Sequence, residues 1–127
     1  MRLPRVLLML MRIGAGVQVI LGVGFWTGHW YAAVPVHMTV GSVYVLLLWA
    51  IATIALVRRR LVGLALFAIL WGVAIAALGY TQQGILAGSG LHWIVRVVHL
   101  IVALAAMPIA EKLAAAAEAR PSAVVAA

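Results

Sequence analysis

Long apolar runs alternate with short polar segments along this chain and divide it into four hydrophobic segments. These segments extend from about Ile13 to Trp30, from Val36 to Val57, from Leu61 to Tyr80 and from Trp93 to Ala110. Each is close to the ~20 residues that an α-helix needs to cross a hydrocarbon core of about 30 Å. The sequence lacks the ten-residue alternation that is typical of membrane β-strands. The pattern therefore predicts four transmembrane helices.

The composition also indicates a protein that lies within a membrane. The chain has 127 residues, of which 68% are hydrophobic and only 9% are charged. A soluble domain of this size needs more polar side chains to cover its surface. We therefore predict an all-α integral membrane protein, a single four-helix bundle with up-down-up-down topology.

The formal net charge of +7 comes from basic residues that fall on one side of this predicted topology, with Arg96 as the exception. The residues on that side are Arg2, Arg5, Arg12, Arg58, Arg59, Arg60, Lys112 and Arg120. The positive-inside rule then predicts that both termini and the 58–60 turn are cytoplasmic, and that the protein is a multi-pass protein of the inner membrane. The basic residues set the topology and contact anionic lipids. No role in binding nucleic acid is predicted.

The chain is expected to have three parts. Residues 1–12 are predicted to be a cytoplasmic interfacial lead-in, residues 13–110 the bundle, and residues 111–127 a cytoplasmic alanine-rich tail. Arg12 interrupts the first apolar run and no Ala-x-Ala site follows it, so we interpret the first helix as a retained helix and not as a signal peptide. The tail is expected to continue as a frayed helix from Glu111 and to be disordered after Pro121.

Three ionisable side chains interrupt the fourth apolar segment and share one helical face. His92, Arg96 and His99 are separated by four and three residues, and Ala103 follows on the same stripe. An arginine near the centre of a membrane costs roughly 2.5–3.5 kcal/mol on insertion scales, so this stripe should face a partner and not lipid.

The chain's histidines all fall in the outer half or the outer loops of the predicted topology: His29, His37, His92 and His99. Two histidines on facing helices can ligate a haem iron from both sides inside a bundle. A flat macrocycle needs space beside each ligand, and Gly41 and Ala103 each follow a histidine by four residues. We therefore predict that His37 and His99 are the axial ligands of one haem b. Taken singly, each histidine is more typical of a hydrogen-bonded packing residue, and His29 is interpreted as a solvated loop residue.

Arg96, with His92, is predicted to pair with haem propionates near the outer surface, because a guanidinium matches a carboxylate in a two-pronged geometry. The alternative for Arg96 is to extend toward the outer headgroups. The depth of the histidines in the membrane does not decide which two of them ligate the haem. His99 lies about 10 Å deeper than His92 at 1.5 Å per residue, whereas His37 is near the membrane edge. Unless helix tilt absorbs this difference, His37 with His92 is the better pair.

Small residues form stripes on two other helices. On the first helix, Gln18 lies between Gly14 and Gly22 at four-residue spacing. This stripe indicates either close helix packing, with the amide hydrogen-bonded to a neighbouring helix, or a groove that accommodates the edge of a cofactor. On the third helix, the ridge that contains Gly72 and Gly79 is predicted to serve packing alone.

The segment Gln18-Val-Ile-Leu-Gly22, followed after an outer loop by His37, resembles one four-helix half of the haem A synthase family. His99 is similar to that family's second ligand, and membrane b-type cytochromes in general show comparable patterns. The resemblance covers roughly residues 13–110 and implies a four-helix bundle that binds one haem b between helices 2 and 4. The family has two such halves, and its catalytic half uses an acidic residue in an outer loop.

This chain has one half, and its acidic residues, Glu111 and Glu118, both fall on the inner side. Haem A synthesis by this chain alone is therefore not expected.

Two functions follow from these expectations. Bis-histidine ligation leaves no open position on iron, which favours electron transfer over oxygen chemistry. The first function is a membrane cytochrome b that passes electrons between quinol or a redox partner and an outer acceptor in a respiratory or related chain, alone or as part of a homo- or hetero-oligomer, and not as a stand-alone enzyme. The alternative is a membrane anchor or assembly subunit without haem. A proton-coupled exporter is less favoured, because no carboxylate lies within helices 1 to 3.

The chain contains no cysteine, which excludes disulfides, iron–sulfur clusters and thiolate ligands to haem.

Overall fold

The computed structural model describes residues 2–119 and contains four long α-helices. They are α1 (Leu3–Trp26), α2 (Val34–Val57), α3 (Val62–Thr81) and α4 (His92–Glu118), with a short 3-10 turn at Tyr31–Ala33 before α2. No strand occurs within residues 2–119. All four helices are long and apolar enough to cross a membrane. The predicted all-helical, four-segment architecture is therefore confirmed at this level.

The first helix begins well before its apolar run, and the last helix continues beyond Glu111 as expected. Helix α1 begins at Leu3 and ends at Trp26, so the segment predicted as an interfacial lead-in forms the first turns of one continuous helix. Pro4 occupies the first turn of this helix, where its missing N–H costs no intrahelical hydrogen bond. Arg12 interrupts the apolar pattern but not the helical backbone.

Helix α4 continues through the first part of the predicted tail. Residues 111–118 are helical, and Leu113, Ala114 and Ala117 are buried. These residues pack against the neighbouring helices, because the small alanine side chains let α4 come close to them. The disorder predicted after Pro121 falls outside the described residues.

The helices form a closed ring in which each one packs against the next and α4 returns to α1. Helix α2 also packs against α4 across the middle of the bundle. This diagonal contact makes α2 and α4 the central pair, and these are the helices that carry the two predicted haem ligands.

The first residues of α1, the α2–α3 turn and the last residues of α4 meet at one end of the bundle, which we call the basic end. Arg5 Nε lies 2.7 Å from Glu118 Oε2, and Arg12 Nη2 lies 2.6 Å from Glu111 Oε1. Both ion pairs join α1 to α4. The opposite end, where α2 and α4 begin, is the histidine end.

Arginines also satisfy the carboxyl end of α4. Arg2 donates a hydrogen bond of 2.7 Å to the carbonyl oxygen of Glu118, and Arg58 donates to the carbonyl oxygen of Ala117. The last carbonyls of a helix have no intrahelical donors and carry partial negative charge, so these guanidinium groups stabilise the terminus.

Most of the fully buried side chains lie in the half of the bundle toward the basic end, which we call the packed half. They are Met11, Leu48, Ile51, Ala52, Ala55, Ala65, Ala68, Ala106, Ala110, Leu113, Ala114 and Ala117. Alanine predominates, and small side chains allow helix backbones to come close together in a membrane. This half of the bundle is therefore held by tight contacts between helices.

Two tryptophans tie α3 to its neighbours. Trp49 Nε1 donates to the carbonyl oxygen of Ile69 at 3.0 Å, and Trp71 Nε1 donates to the carbonyl oxygen of Val102 at 2.9 Å. The Trp49 indole lies directly against Gly72, where a Cβ atom would overlap it. The prediction that Gly72 serves packing is therefore confirmed, with an indole as its partner.

Candidate functional site

The histidine end of the bundle contains a cavity of about 280 Å³ between all four helices. We call it the histidine cavity. The side chains predicted to hold a cofactor all line it: Gln18, His37, Gly41, His92, Arg96, His99 and Ala103. Residues from α1, α2 and α4 that are far apart in the sequence are thus brought to one place by the fold.

His37 lies in the first turn of α2, next to Pro35, which is in the first turn as expected for a proline. Its imidazole meets the ring of Phe25 from α1 edge to face, with ring centroids 5.3 Å apart. The Nδ1 atom of His37 is buried and has no hydrogen-bond partner among the described residues. His37 is thus held by packing, and its Nδ1 atom remains unsatisfied.

His99 lies two turns into α4 and faces α3. A Cβ atom placed on Gly79 would lie 3.5 Å from Cε1 of His99, so the absence of a larger side chain on α3 leaves room for the ring. The Nδ1 atom of His99 is also buried without a partner in the described part of the chain. The two imidazoles line the same cavity.

Unsatisfied polar atoms are uncommon inside proteins, because each one costs about 1–3 kcal/mol of lost hydration. Between residues 2 and 119, the histidine cavity is lined by three side chains that each bury such an atom: Gln18 Oε1, His37 Nδ1 and His99 Nδ1. Their concentration around one space indicates a site built for a ligand and not for packing alone.

His92 differs from these two histidines because it is hydrogen-bonded within the chain. Its Nδ1 lies 2.9 Å from the carbonyl oxygen of Ile85. The contact fastens the start of α4 to the turn-rich connection that follows α3. His92 therefore helps to hold this connection beside the cavity, a role that the sequence pattern did not indicate.

Arg96 lines the cavity and is exposed, one helical turn after His92. The chain's two acidic residues, Glu111 and Glu118, are in the last turns of α4, at the basic end. Neither acidic side chain of the chain is therefore placed to pair with Arg96.

Gln18 is in contact with Gly41. A Cβ atom on Gly41 would lie only 2.6 Å from Nε2 of Gln18, so the amide occupies the space beside this glycine. We predicted that Gly41 leaves this space for a macrocycle. In the structure a side chain from α1 fills it, because α1 and α2 pack closely there.

Ala103 contributes to the floor of the cavity through its backbone as well as its small side chain. The Tyr44 hydroxyl donates a hydrogen bond of 2.9 Å to the carbonyl oxygen of Ala103. Tyr44 is buried, and this bond joins α2 to α4 where the cavity meets the packed half.

Helix α3 contributes to the cavity, although the sequence pattern assigned it to packing alone. Ala76, Gly79 and Tyr80 all line the space, and the Tyr80 hydroxyl lies 3.0 Å from Ser42 Oγ of α2. Helical spacing placed the small residues on one ridge, but it gave no indication that the outer part of this ridge faces His99. Phe25 was missed for the same reason, because the sequence does not show which neighbour an apolar side chain contacts.

His29 lies outside the cavity. It is exposed, and its Nδ1 is 3.2 Å from the hydroxyl of Thr27. This position agrees with a solvated loop histidine.

The residues from 2 to 119 include no group of three or more histidine, cysteine, aspartate or glutamate side chains that could hold a metal ion. A bare metal site is thus not found in that range. A porphyrin brings four nitrogen ligands of its own, so an iron porphyrin needs only one or two ligands from the protein.

No protein-family model, no curated protein and no solved structure matches this chain. The resemblance to the haem A synthase family therefore stays a prediction.

Proposed function

We propose that this chain is a membrane b-type cytochrome that binds one haem b in the histidine cavity and transfers electrons in a respiratory or related redox chain. The observation that carries the proposal is the pair of imidazoles, His37 and His99, which line one cavity from facing helices and each bury an unpartnered Nδ1. A neutral imidazole binds a metal through either Nδ1 or Nε2, and the Nδ1 atoms of both rings make no hydrogen bond within the described residues. Bound haem supplies an iron that gains and loses one electron reversibly.

The lining of the cavity suits a porphyrin, because most of its side chains are apolar or aromatic. Its volume of about 280 Å³ is near the lower limit of about 300 Å³ for pockets that bind small molecules. Binding therefore requires side chains to move aside, and the Gln18 amide beside Gly41 is the one best placed to do so. His37 and His99 would hold the haem between them, and with two ligands from the protein the group would favour electron transfer over oxygen chemistry.

Arg96 is suited to hold the haem propionates. It lines the cavity, it is exposed, and no acidic residue of the chain lies at its end of the bundle. A guanidinium and a carboxylate form two parallel hydrogen bonds, which would fix the orientation of the ring plane. His92, one turn away, contributes by holding the α3–α4 connection in place.

The positions of the charges support an orientation for the site. The basic residues gather at the end opposite the cavity, and the positive-inside rule assigns such an end to the cytoplasm. The haem then lies toward the outer side of the inner membrane. Electrons would come from quinol in the bilayer or from a membrane redox partner and would leave to an acceptor on the outer side.

The test is the visible spectrum of the protein purified in detergent from cells with ample haem. The wild-type chain should be coloured and give the reduced-minus-oxidised spectrum of six-coordinate haem b. His37→Ala and His99→Ala should each abolish that spectrum, because each removes an axial ligand. The matched control is His29→Ala, which changes an exposed histidine outside the cavity and should leave the spectrum unchanged.

His92→Ala decides between the two possible ligand pairs. With His37 and His99 as ligands, this variant should keep the six-coordinate spectrum. Loss of the spectrum in His92→Ala together with its retention in His99→Ala would replace the pair by His37 and His92. A colourless wild-type protein would overturn the cytochrome proposal and favour the membrane anchor or assembly subunit.

A further inference from the structure

We infer that Gln18 is the positioning residue for His37, with its side-chain oxygen accepting a hydrogen bond from Nδ1 of the imidazole when Nε2 binds iron. The inference rests on the proposed haem site and assigns a role to a residue on a third helix. It starts from two buried polar atoms that complement one another. Gln18 Oε1 is an acceptor without a donor, and His37 Nδ1 lacks a partner.

The two side chains lie close together in the fold. Gln18 is packed against Gly41, which follows His37 by four residues, or about 6 Å along the helix axis. Phe25, two turns beyond Gln18 on α1, contacts the His37 ring edge to face. His37 therefore faces the stretch of α1 between Gln18 and Phe25.

There is also room for the amide to move toward His37. Gly22 lies one turn beyond Gln18 on α1 and lines the cavity, and a Cβ atom placed on it would meet no atom within 4 Å. A glutamine side chain turns about three single bonds, so its amide can leave Gly41 for this open space. The spacing of Gln18 and Gly22 thus provides both the acceptor and the space it needs.

A hydrogen bond of this kind has a known effect on a ligating histidine. The acceptor fixes the tautomer and ring orientation and makes the imidazole a stronger ligand, and its loss typically weakens metal binding about 10- to 100-fold. A stronger ligand favours ferric over ferrous iron. Tenfold less preference for the ferric form would raise the midpoint potential by about 59 mV for a one-electron couple.

The experiment compares Gln18→Leu and Gln18→Glu with the wild-type chain, after circular dichroism has shown that both variants are helical. Gln18→Leu removes the acceptor at similar size and should raise the midpoint potential, shift the low-temperature EPR g-values of the ferric haem and weaken haem retention about 10- to 100-fold. Gln18→Glu keeps an acceptor oxygen at the same reach and should hold the potential at or below that of the wild type. Thr53→Val, a polar-to-apolar change at an exposed position of α2 outside the cavity, is the control and should change none of these.

The outcomes separate this inference from the proposed function. Coloured wild-type protein with the same potential and g-values in Gln18→Leu as in Thr53→Val and the wild type would overturn the role of Gln18 and leave the cytochrome intact. A colourless wild-type protein would overturn both. A raised potential in Gln18→Leu that Gln18→Glu restores supports the inference, because a packing role would not distinguish an acceptor oxygen from a methyl group.

Discussion

The two halves of this bundle are built from the same four helices and yet differ in how they fill the space between them. In the packed half, alanines and a few large aliphatic side chains are almost wholly buried. In the half that contains the histidine cavity, glycines and histidines leave a space of about 280 Å³. Both halves are apolar in sequence, so hydrophobicity alone does not distinguish a scaffold from a site.

The difference shows that one half of a membrane bundle can be closely packed while the other half encloses a cavity. Apolar side chains gain little by leaving lipid for the interior of a bundle, so association depends on close packing. The packed half provides that contact along all four helices. The other half is then able to tolerate an open space and the unsatisfied atoms of Gln18, His37 and His99.

The largest difference in stability between the two halves is expected when one leucine in each half is replaced by alanine. Leu48 is fully buried in the packed half, whereas Leu100 lines the cavity. Leu48→Ala should lower the free energy of unfolding by roughly 2 kcal/mol, the low end of the range for buried leucines, because transfer to lipid offsets part of the loss. Leu100→Ala should cost clearly less, since its side chain already borders empty space. Reversible unfolding in mixed detergent micelles measures both, and equal losses would remove the distinction between the halves.

The reverse substitution, small to large, should separate the halves with a somewhat smaller effect. Ala110→Leu adds volume to a fully buried position and should destabilise the protein by about 1–3 kcal/mol. Ala76→Leu places the same side chain at a residue that lines the cavity and should leave stability nearly unchanged, while it reduces haem retention. The same unfolding assay, combined with the haem content of the purified protein, checks both expectations. A large stability loss in Ala76→Leu would mean that the cavity is closed in solution.

The smallest effect is expected at the boundary between the halves. Tyr44→Phe removes the hydrogen bond from α2 to the carbonyl oxygen of Ala103 and should cost about 0.6 kcal/mol, the average for hydrogen bonds between membrane helices. Tyr80→Phe is the matched change, because Tyr80 is exposed and bonded to Ser42. Its effect on the free energy of unfolding should be smaller, since water can replace the lost partner. A larger loss of unfolding free energy in Tyr80→Phe would mean that the hydrogen bond to Ser42 at the histidine end, and not the bond to Ala103, contributes more to holding α2 against its neighbours.

Much of the fold could be predicted from the sequence, because the length and polarity of each segment are local properties. The number of helices, their order and the gathering of arginines at one end all follow from where the apolar runs begin and end. The continuation of α4 beyond Glu111 was expected, whereas the start of α1 was predicted less well. Continuous backbone hydrogen bonding extends α1 on both sides of Arg12, although this residue breaks the apolar pattern.

The sequence by itself determined which side chains could form a site, since His37, His99 and Arg96 are the groups that an apolar helix carries only at a cost. The tertiary structure alone decided which of them meet and what lies beside them. It engaged His92 with the backbone of the α3–α4 connection, placed Gln18 against Gly41, and brought Gly79 of α3 to His99. The physical reason is that helical spacing fixes which residues share a face, whereas the direction of that face depends on how all four helices pack.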